Sequence, residues 1–208
     1  ASFAWYNPSM TTEPRGVDLF RVAGIQITVD VSWLVIFALV LWSLAAGYFP
    51  GQFPGYEWPS YVIAGLAATL CFFASVLVHE LSHAVVANRL GADVRRITLF
   101  IFGGMAHLSA EPRSPGVEWR IAAAGPLTSI GLGVGFLVLS RALAALGVEA
   151  LAVAVCGYLG AVNLALAVFN LRPGYPLDGG RLLRAWFWQR SGDLRAATRR
   201  AAGWGGGI

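Results

Sequence analysis

Four long apolar runs dominate the chain and limit its possible folds more than any other feature. Val31–Phe49, Tyr61–Leu90, Ile121–Leu146 and Ala150–Asn170 are each predominantly apolar and long enough to cross a bilayer as a helix, which takes roughly 20 residues. In hydrocarbon every backbone N–H and C=O must find its partner inside the protein, so single segments of this length span as helices. Composition agrees: of 208 residues 57% are hydrophobic and only 12% charged, with a mean hydropathy of +0.63. A water-soluble domain is usually about one-quarter charged. The sequence therefore predicts an all-α, multi-pass membrane protein, a bundle of about four spans with short membrane-associated β-hairpins.

The charges set its orientation. All fifteen basic residues are Arg, and the net charge of +4 with a pI near 9.5 would suit a nucleic-acid binder. Their positions argue against nucleic acid and for the lipid bilayer as the partner. Arg15 and Arg21 precede the first run, Arg89, Arg95, Arg96, Arg113 and Arg120 follow the second, and Arg172, Arg181, Arg184 and Arg190 follow the fourth. The connection Pro50–Ser60 has none. Both termini on the cytoplasmic side satisfy the positive-inside rule. Cys71 and Cys156 sit inside apolar runs and read as small packing residues. Residues 1–15 read as a flexible leader, 16–190 as the membrane core, and 191–208 as a truncated C-terminal segment leading towards a missing span.

Two pieces read as strands. Leu19–Val29 has a central Gly followed by β-branched residues, a hairpin leading into the first span. Arg96–Leu108 has two strand-like runs turning at Gly103 and Gly104. An open strand there is a plausible substrate-binding edge, because an extended peptide can add to it by backbone pairing. Gly125 and Pro126 are expected to interrupt the third span, with Gly131, Gly133 and Gly135 allowing close helix approach.

The chemistry concentrates in His79-Glu80-Leu81-Ser82-His83, an H-E-x-x-H pattern. Residues i and i+4 share a helix face, so the two imidazoles can aim at one metal ion while the intervening Glu reaches a metal-activated water. Ionisable groups inside a span cost roughly 2.5–3.5 kcal/mol each for a charged residue at the helix centre, which a polar patch without an ion does not repay. A catalytic zinc needs a third protein ligand and one open position. Asp178, in Asn170-Leu-Arg-Pro-Gly-Tyr-Pro-Leu-Asp-Gly-Gly-Arg181, is one candidate, since the Pro and Gly residues around it should unwind the chain and let the carboxylate turn back. An ordinary loop aspartate is the other reading of the same spacing. His107, after the Gly pair, fits a gate or hairpin contact better than a ligand, because a fourth protein ligand would close the catalytic position.

HELSH inside a span, paired with NLRPGYPLDGG after a later one, resembles the site-2 protease family of intramembrane zinc metalloproteases. The Phe102–Gly104 turn and the GIQITVDVSW approach to the first span resemble the branch that usually carries C-terminal CBS domains, absent here. The resemblance implies one catalytic Zn2+ held by His79, His83 and Asp178, Glu80 as general base and acid, and Asn170 near the substrate or the developing oxyanion. It implies regulated intramembrane proteolysis of single-span proteins such as membrane-bound transcription factors or anti-sigma factors. It also implies a prokaryotic cell (inner) membrane with access from the cytoplasm, and leaves oligomerisation open. Two rival classes are weaker. A metal transporter needs ionisable residues along several spans, and spans one and three have few; a non-catalytic scaffold has no need of Glu80.

Overall fold

The structure is a computed structural model describing residues 16–100, 103–108, 112–174 and 176–205, with side chains outside 103–108 and 204–205. Residues 1–15, where the leader was expected, lie outside it. Two strands, β1 (Gly16–Val22) and β2 (Ile25–Asp30), form the first hairpin around Ala23 and Gly24, both at positive φ. Asp30 then caps the next helix, its carboxylate accepting from the Ser32 N–H at 2.9 Å. That helix is α1 (Val31–Trp42), continued by a π-helical turn (Ser43–Tyr48) and α2 (Phe49–Gln52) into one span.

The other spans are α3 (Trp58–Arg89), α4 (Pro115–Ala145) and α5 (Ala150–Asn170). All four spans are long and apolar enough to cross a membrane, and the chain is a multi-pass membrane protein. Between α3 and α4 run β3 (Val94–Phe100) and β4 (Gly103–Leu108). After α5 come α6 (Asp178–Ser191) and α7 (Leu194–Gly205), packed on one another, with Ala185 of α6 and Ala197 and Ala201 of α7 buried.

The two hairpins join into one four-stranded sheet in the order β1-β2-β3-β4, because β2 pairs parallel with β3 from Gln26 opposite Arg96 to Val29 opposite Leu99. Nothing local in the sequence announces that crossover pairing. The second hairpin does not turn at Gly103 and Gly104. Both are inside β4, opposite Phe100 and Leu99; Phe102, the first residue of the expected turn, lies outside the described residues. Ile25, Ile27, Val94, Ile97 and Leu99 pack the sheet onto Ala84 and Ala87 of α3 and Ile121 of α4.

Three further expectations fail in whole or in part. Pro126 lies inside a continuous α4. Proline removes one intrahelical hydrogen bond, and in a bundle the neighbouring helices hold the axis across it. Asp178 does not sit on unwound backbone but opens α6 as its first residue, with Gly179 and Gly180 in the same turn. Of the three α4 glycines expected to permit close approach, only Gly133 does so: a Cβ there would lie 2.7 Å from Leu164, whereas Gly131 and Gly135 face open space.

Candidate metal centre

One face of α3 is buried along its length, at Tyr61, Ala64, Ala68, Ser75, Val76, His79, Glu80, His83, Ala84 and Ala87. These positions recur every three or four residues, the period of a single helical face. The H-E-x-x-H residues therefore point into the bundle rather than to lipid: His79 is 1% exposed, Glu80 2% and His83 0%. His79 is about ten residues short of the end of α3 at Arg89, or about 15 Å of helical rise.

The distal acid meets them there. Asp178 Oδ2 lies 3.3 Å from His79 Nε2 and 3.2 Å from His83 Nε2, and the two Nε2 atoms are 3.3 Å apart. Among the described residues, these three form the group that could hold a metal ion. The triangle has a definite meaning. Ligand atoms about 2.0–2.1 Å from a tetrahedral zinc are separated from one another by about 3.3 Å. Two imidazoles and one carboxylate, leaving one corner of the tetrahedron for a non-protein ligand, are also the donor set of a catalytic zinc. The residues fit the ion.

Helix α4 orients both rings from the opposite side. His83 Nδ1 lies 2.6 Å from the Ile121 carbonyl oxygen. A carbonyl only accepts, so this nitrogen carries the proton and Nε2 presents its lone pair inwards. His79 Nδ1 has Ser129 Oγ at 2.9 Å, which allows the same tautomer. Such outer partners fix ring orientation at metal sites. Between them on the same face is Gly125, where a Cβ would lie 2.1 Å from His83 Nε2 and 2.6 Å from His79 Nε2. The α4 backbone thus closes one wall of the site, and only a residue without a side chain fits. Gly179 plays a similar part below Asp178, where a Cβ would meet the Leu171 and Arg172 carbonyl oxygens at 2.2 and 2.4 Å. The absence of that Cβ lets α6 start directly against the end of α5.

The remaining sequence candidates are placed differently. Glu80 is buried with its Oε2 lacking a hydrogen-bond partner among the described residues. Asn170, also buried, donates its Nδ2 to the Leu166 carbonyl at 2.9 Å, and its Oδ1 has no partner among the described residues. Its side chain bonds back to α5 and makes no hydrogen bond to the three clustered residues. Gly103, Gly104 and His107 all belong to β4, an edge of the sheet that runs beside α3; their side-chain surroundings lie outside the described residues. Sequence reasoning missed Ile121, Ser129 and the steric role of Gly125. The signal was present in the i, i+4, i+8 spacing of these three residues on one span, but no charged group drew attention to it.

A buried two-histidine, one-carboxylate cluster within a bundle of membrane-crossing helices defines a membrane-embedded metalloprotein with the ligand set of a hydrolytic centre. Comparisons with known proteins narrow the class. The sequence profile of peptidase family M50 matches residues 67–151 and 142–207. Rip3 of Mycobacterium tuberculosis, named as a zinc metalloprotease, is 45% identical over 177 residues, 85% of this chain and 45% of that protein. Zinc metalloprotease MJ0392 of Methanocaldococcus jannaschii is 30% identical over 185 residues, 86% of this chain and 48% of its own length. Among solved structures, the site-2 protease from Methanocaldococcus jannaschii superposes with a TM-score of 0.57 at 28% identity, covering 90% of this chain and 78% of that one. The chain belongs to peptidase family M50, the site-2 protease family. It spans about half the length of the curated relatives it matches.

Proposed function

We propose that this chain is the core of an intramembrane zinc metalloprotease that hydrolyses peptide bonds within the transmembrane segments of single-span membrane proteins. The observation that carries the reading is the convergence of His79, His83 and Asp178, from helices distant in sequence, to mutual separations of 3.2–3.3 Å inside a membrane-spanning bundle beside a buried Glu80. Zinc bound there would supply Lewis-acid polarisation and acidify a water.

The chain's own residues do the rest. His79 and His83 bind through Nε2, held by Ser129 and the Ile121 carbonyl, and Asp178 supplies the third donor. Glu80 follows His79 directly on the buried face, and its Oε2, with no hydrogen-bond partner among the described residues, suits a proton acceptor. As general base it takes a proton from the attacking water, and as general acid it passes that proton to the departing amine. Net, one water is consumed and one C–N bond is broken. Asn170 is proposed to turn its amide from Leu166 towards the developing oxyanion, where an N–H donor strengthens as charge forms. The β4 edge, with Gly103, Gly104 and His107, is proposed as the strand on which an unwound substrate pairs through its backbone. Arg placement supports access from the cytoplasmic face of a prokaryotic cell membrane. Membrane-bound transcription factors and anti-sigma factors are the proposed substrates.

The test is Glu80→Gln in purified protein with a single-span model substrate. Cleavage should disappear while bound zinc stays at one equivalent. Normal cleavage by that variant would remove Glu80 from the mechanism, and cleavage by the wild type that survives full chelation would remove the metal.

A further inference from the structure

Resting on the metal-site reading above, we propose that the buried ion pair between Glu118 and Arg184 is a positioning device for the third metal ligand, fixing α6 on α4 so that Asp178 reaches the histidines. Glu118, in the first turn of α4, is completely buried, and Arg184 of α6 is 3% exposed. Arg184 Nε donates to Glu118 Oε1 at 2.6 Å and its Nη2 donates to the same oxygen. Arg181, one turn earlier on α6 and also buried, brings its Nε to 4.0 Å of that carboxylate.

The composition of the buried face of α6 makes this pair more than an ornament. The buried residues of α6 are Asp178, Gly179, Gly180, Arg181, Arg184 and Ala185. Ala185 alone among them is a hydrophobic side chain; Leu182, Leu183, Phe187 and Trp188 are half-buried, so the fully buried part of this face is mainly polar. Its main packing partners are α4 and α7. It is tied to α5 by a seven-residue connection, 171–177, containing Pro173, Gly174 and Pro176. Directional charge-assisted hydrogen bonds from a guanidinium are suited to fixing one geometry in such a setting. Asp178 lies six residues before Arg184 on the same short helix, so a shift of α6 along or around its axis moves the carboxylate with it. The same helix α4 that orients both histidine rings through Ile121 and Ser129 thus also orients the acid, through Glu118. All three ligands are referenced to one element that supplies none of them.

The experiment measures metal binding in the purified full chain, by competition with a chromophoric chelator and by the absorption spectrum of the Co2+-substituted protein. Asp178→Asn should weaken Zn2+ binding and change the Co2+ spectrum; if it does neither, Asp178 is no ligand, and the metal-site reading falls with the proposal. Given that loss, Glu118→Gln should weaken Zn2+ binding roughly 10–100-fold, the range for outer-partner substitutions, and shift the Co2+ spectrum in the same direction as Asp178→Asn. The double variant should bind no more weakly than Asp178→Asn alone, because a device acting through Asp178 has nothing left to position. Wild-type affinity and spectrum in Glu118→Gln, or losses that simply multiply in the double variant, would overturn the proposal. Should Glu118→Gln not fold, Arg184→Lys keeps the charge but not the fork. It should give a smaller loss with the same non-additivity, and additivity there overturns the proposal equally.

Discussion

Gly125→Ala is the sharpest perturbation the site offers. The added methyl carbon would stand 2.1 Å from His83 Nε2 and 2.6 Å from His79 Nε2, the two atoms read as metal donors. Protein Cβ atoms do not approach other atoms closer than about 3.0 Å, so α4 and the His83 ring must separate by about 0.9 Å. Metal–ligand distances tolerate only about ±0.2 Å. The required displacement is several times that tolerance, and it also pulls Ile121 and Ser129 away from the Nδ1 atoms they hold. Loss of outer partners alone weakens metal binding about 10–100-fold, or about 1.4–2.7 kcal/mol. Gly125→Ala should therefore weaken Zn2+ binding by at least about 100-fold, read by chelator competition on protein that remains monodisperse in detergent. Gly131→Ala, on the same helix with nothing within 4 Å of its added carbon, is the matched control and should bind as wild type does. Retention of zinc within threefold of wild type by Gly125→Ala would refute the reasoning, because it would show that the two nitrogens are not the donors or that α4 does not wall the site.

Ser129→Ala removes the 2.9 Å partner of His79 Nδ1 and should cost roughly tenfold in zinc affinity, with thermal stability of the metal-free protein nearly unchanged. Gly179→Ala places a carbon 2.2 Å from a backbone oxygen that cannot swing aside; it should destabilise by about 1–3 kcal/mol or more and lower Tm by several degrees, with zinc content falling in parallel. Removing the metal should itself lower Tm, since a ligand at 1,000 times its Kd stabilises by about 4.1 kcal/mol. A chelator-induced drop that persists in the His79→Ala, His83→Ala double variant would place the stabilising ion elsewhere.

The H-E-x-x-H face was legible because two independent signals coincide in it: a helical spacing, and ionisable residues where hydrocarbon penalises them. The four spans were legible for the same solvent reason, which acts on composition alone. Asp178 was only half legible. It lies 95 residues from His83, and no local pattern says whether a polar loop folds back under a membrane helix or hangs in water. The α4 contribution was hidden because its parts are a backbone carbonyl, a hydroxyl and a missing side chain. Pro126 misled because a propensity measured in isolated helices is weaker than the packing of α3 and α5 around it. Gly103 and Gly104 misled because a Gly pair marks a place where backbones approach closely as readily as it marks a turn. The parallel β2–β3 register depends on two hairpins far apart in sequence and has no short-range signature.

The charges inside the bundle explain why these elements meet where they do. Among the described residues, the buried Asp, Glu, His and Arg side chains are His79, Glu80, His83, Glu118, Asp178, Arg181 and Arg184, and all belong to α3, α4 or α6. None could be left alone in lipid, since an isolated buried charge costs several kcal/mol even after relaxation. Glu118 is matched by Arg184, while Asp178 faces two ring nitrogens: His83 turns its lone pair to it because the Ile121 carbonyl claims the other side, and the Ser129 hydroxyl lets His79 do the same. A carboxylate oxygen and two lone pairs 3.2–3.3 Å apart repel one another unless a proton or a metal ion lies between them. The architecture therefore holds three donors in a geometry that is unfavourable without a cation, and it does so with helix contacts made elsewhere, at Glu118, Gly125 and Gly179. Exposed apolar positions on the spans such as Ile63 and Val138 contribute hydrophobicity that any apolar residue can supply. On the proposed reading, Glu118→Gln, Gly125→Ala and Gly179→Ala should each uncouple helix packing from metal geometry and lower bound zinc, whereas an apolar exchange at Ile63 should leave it unchanged.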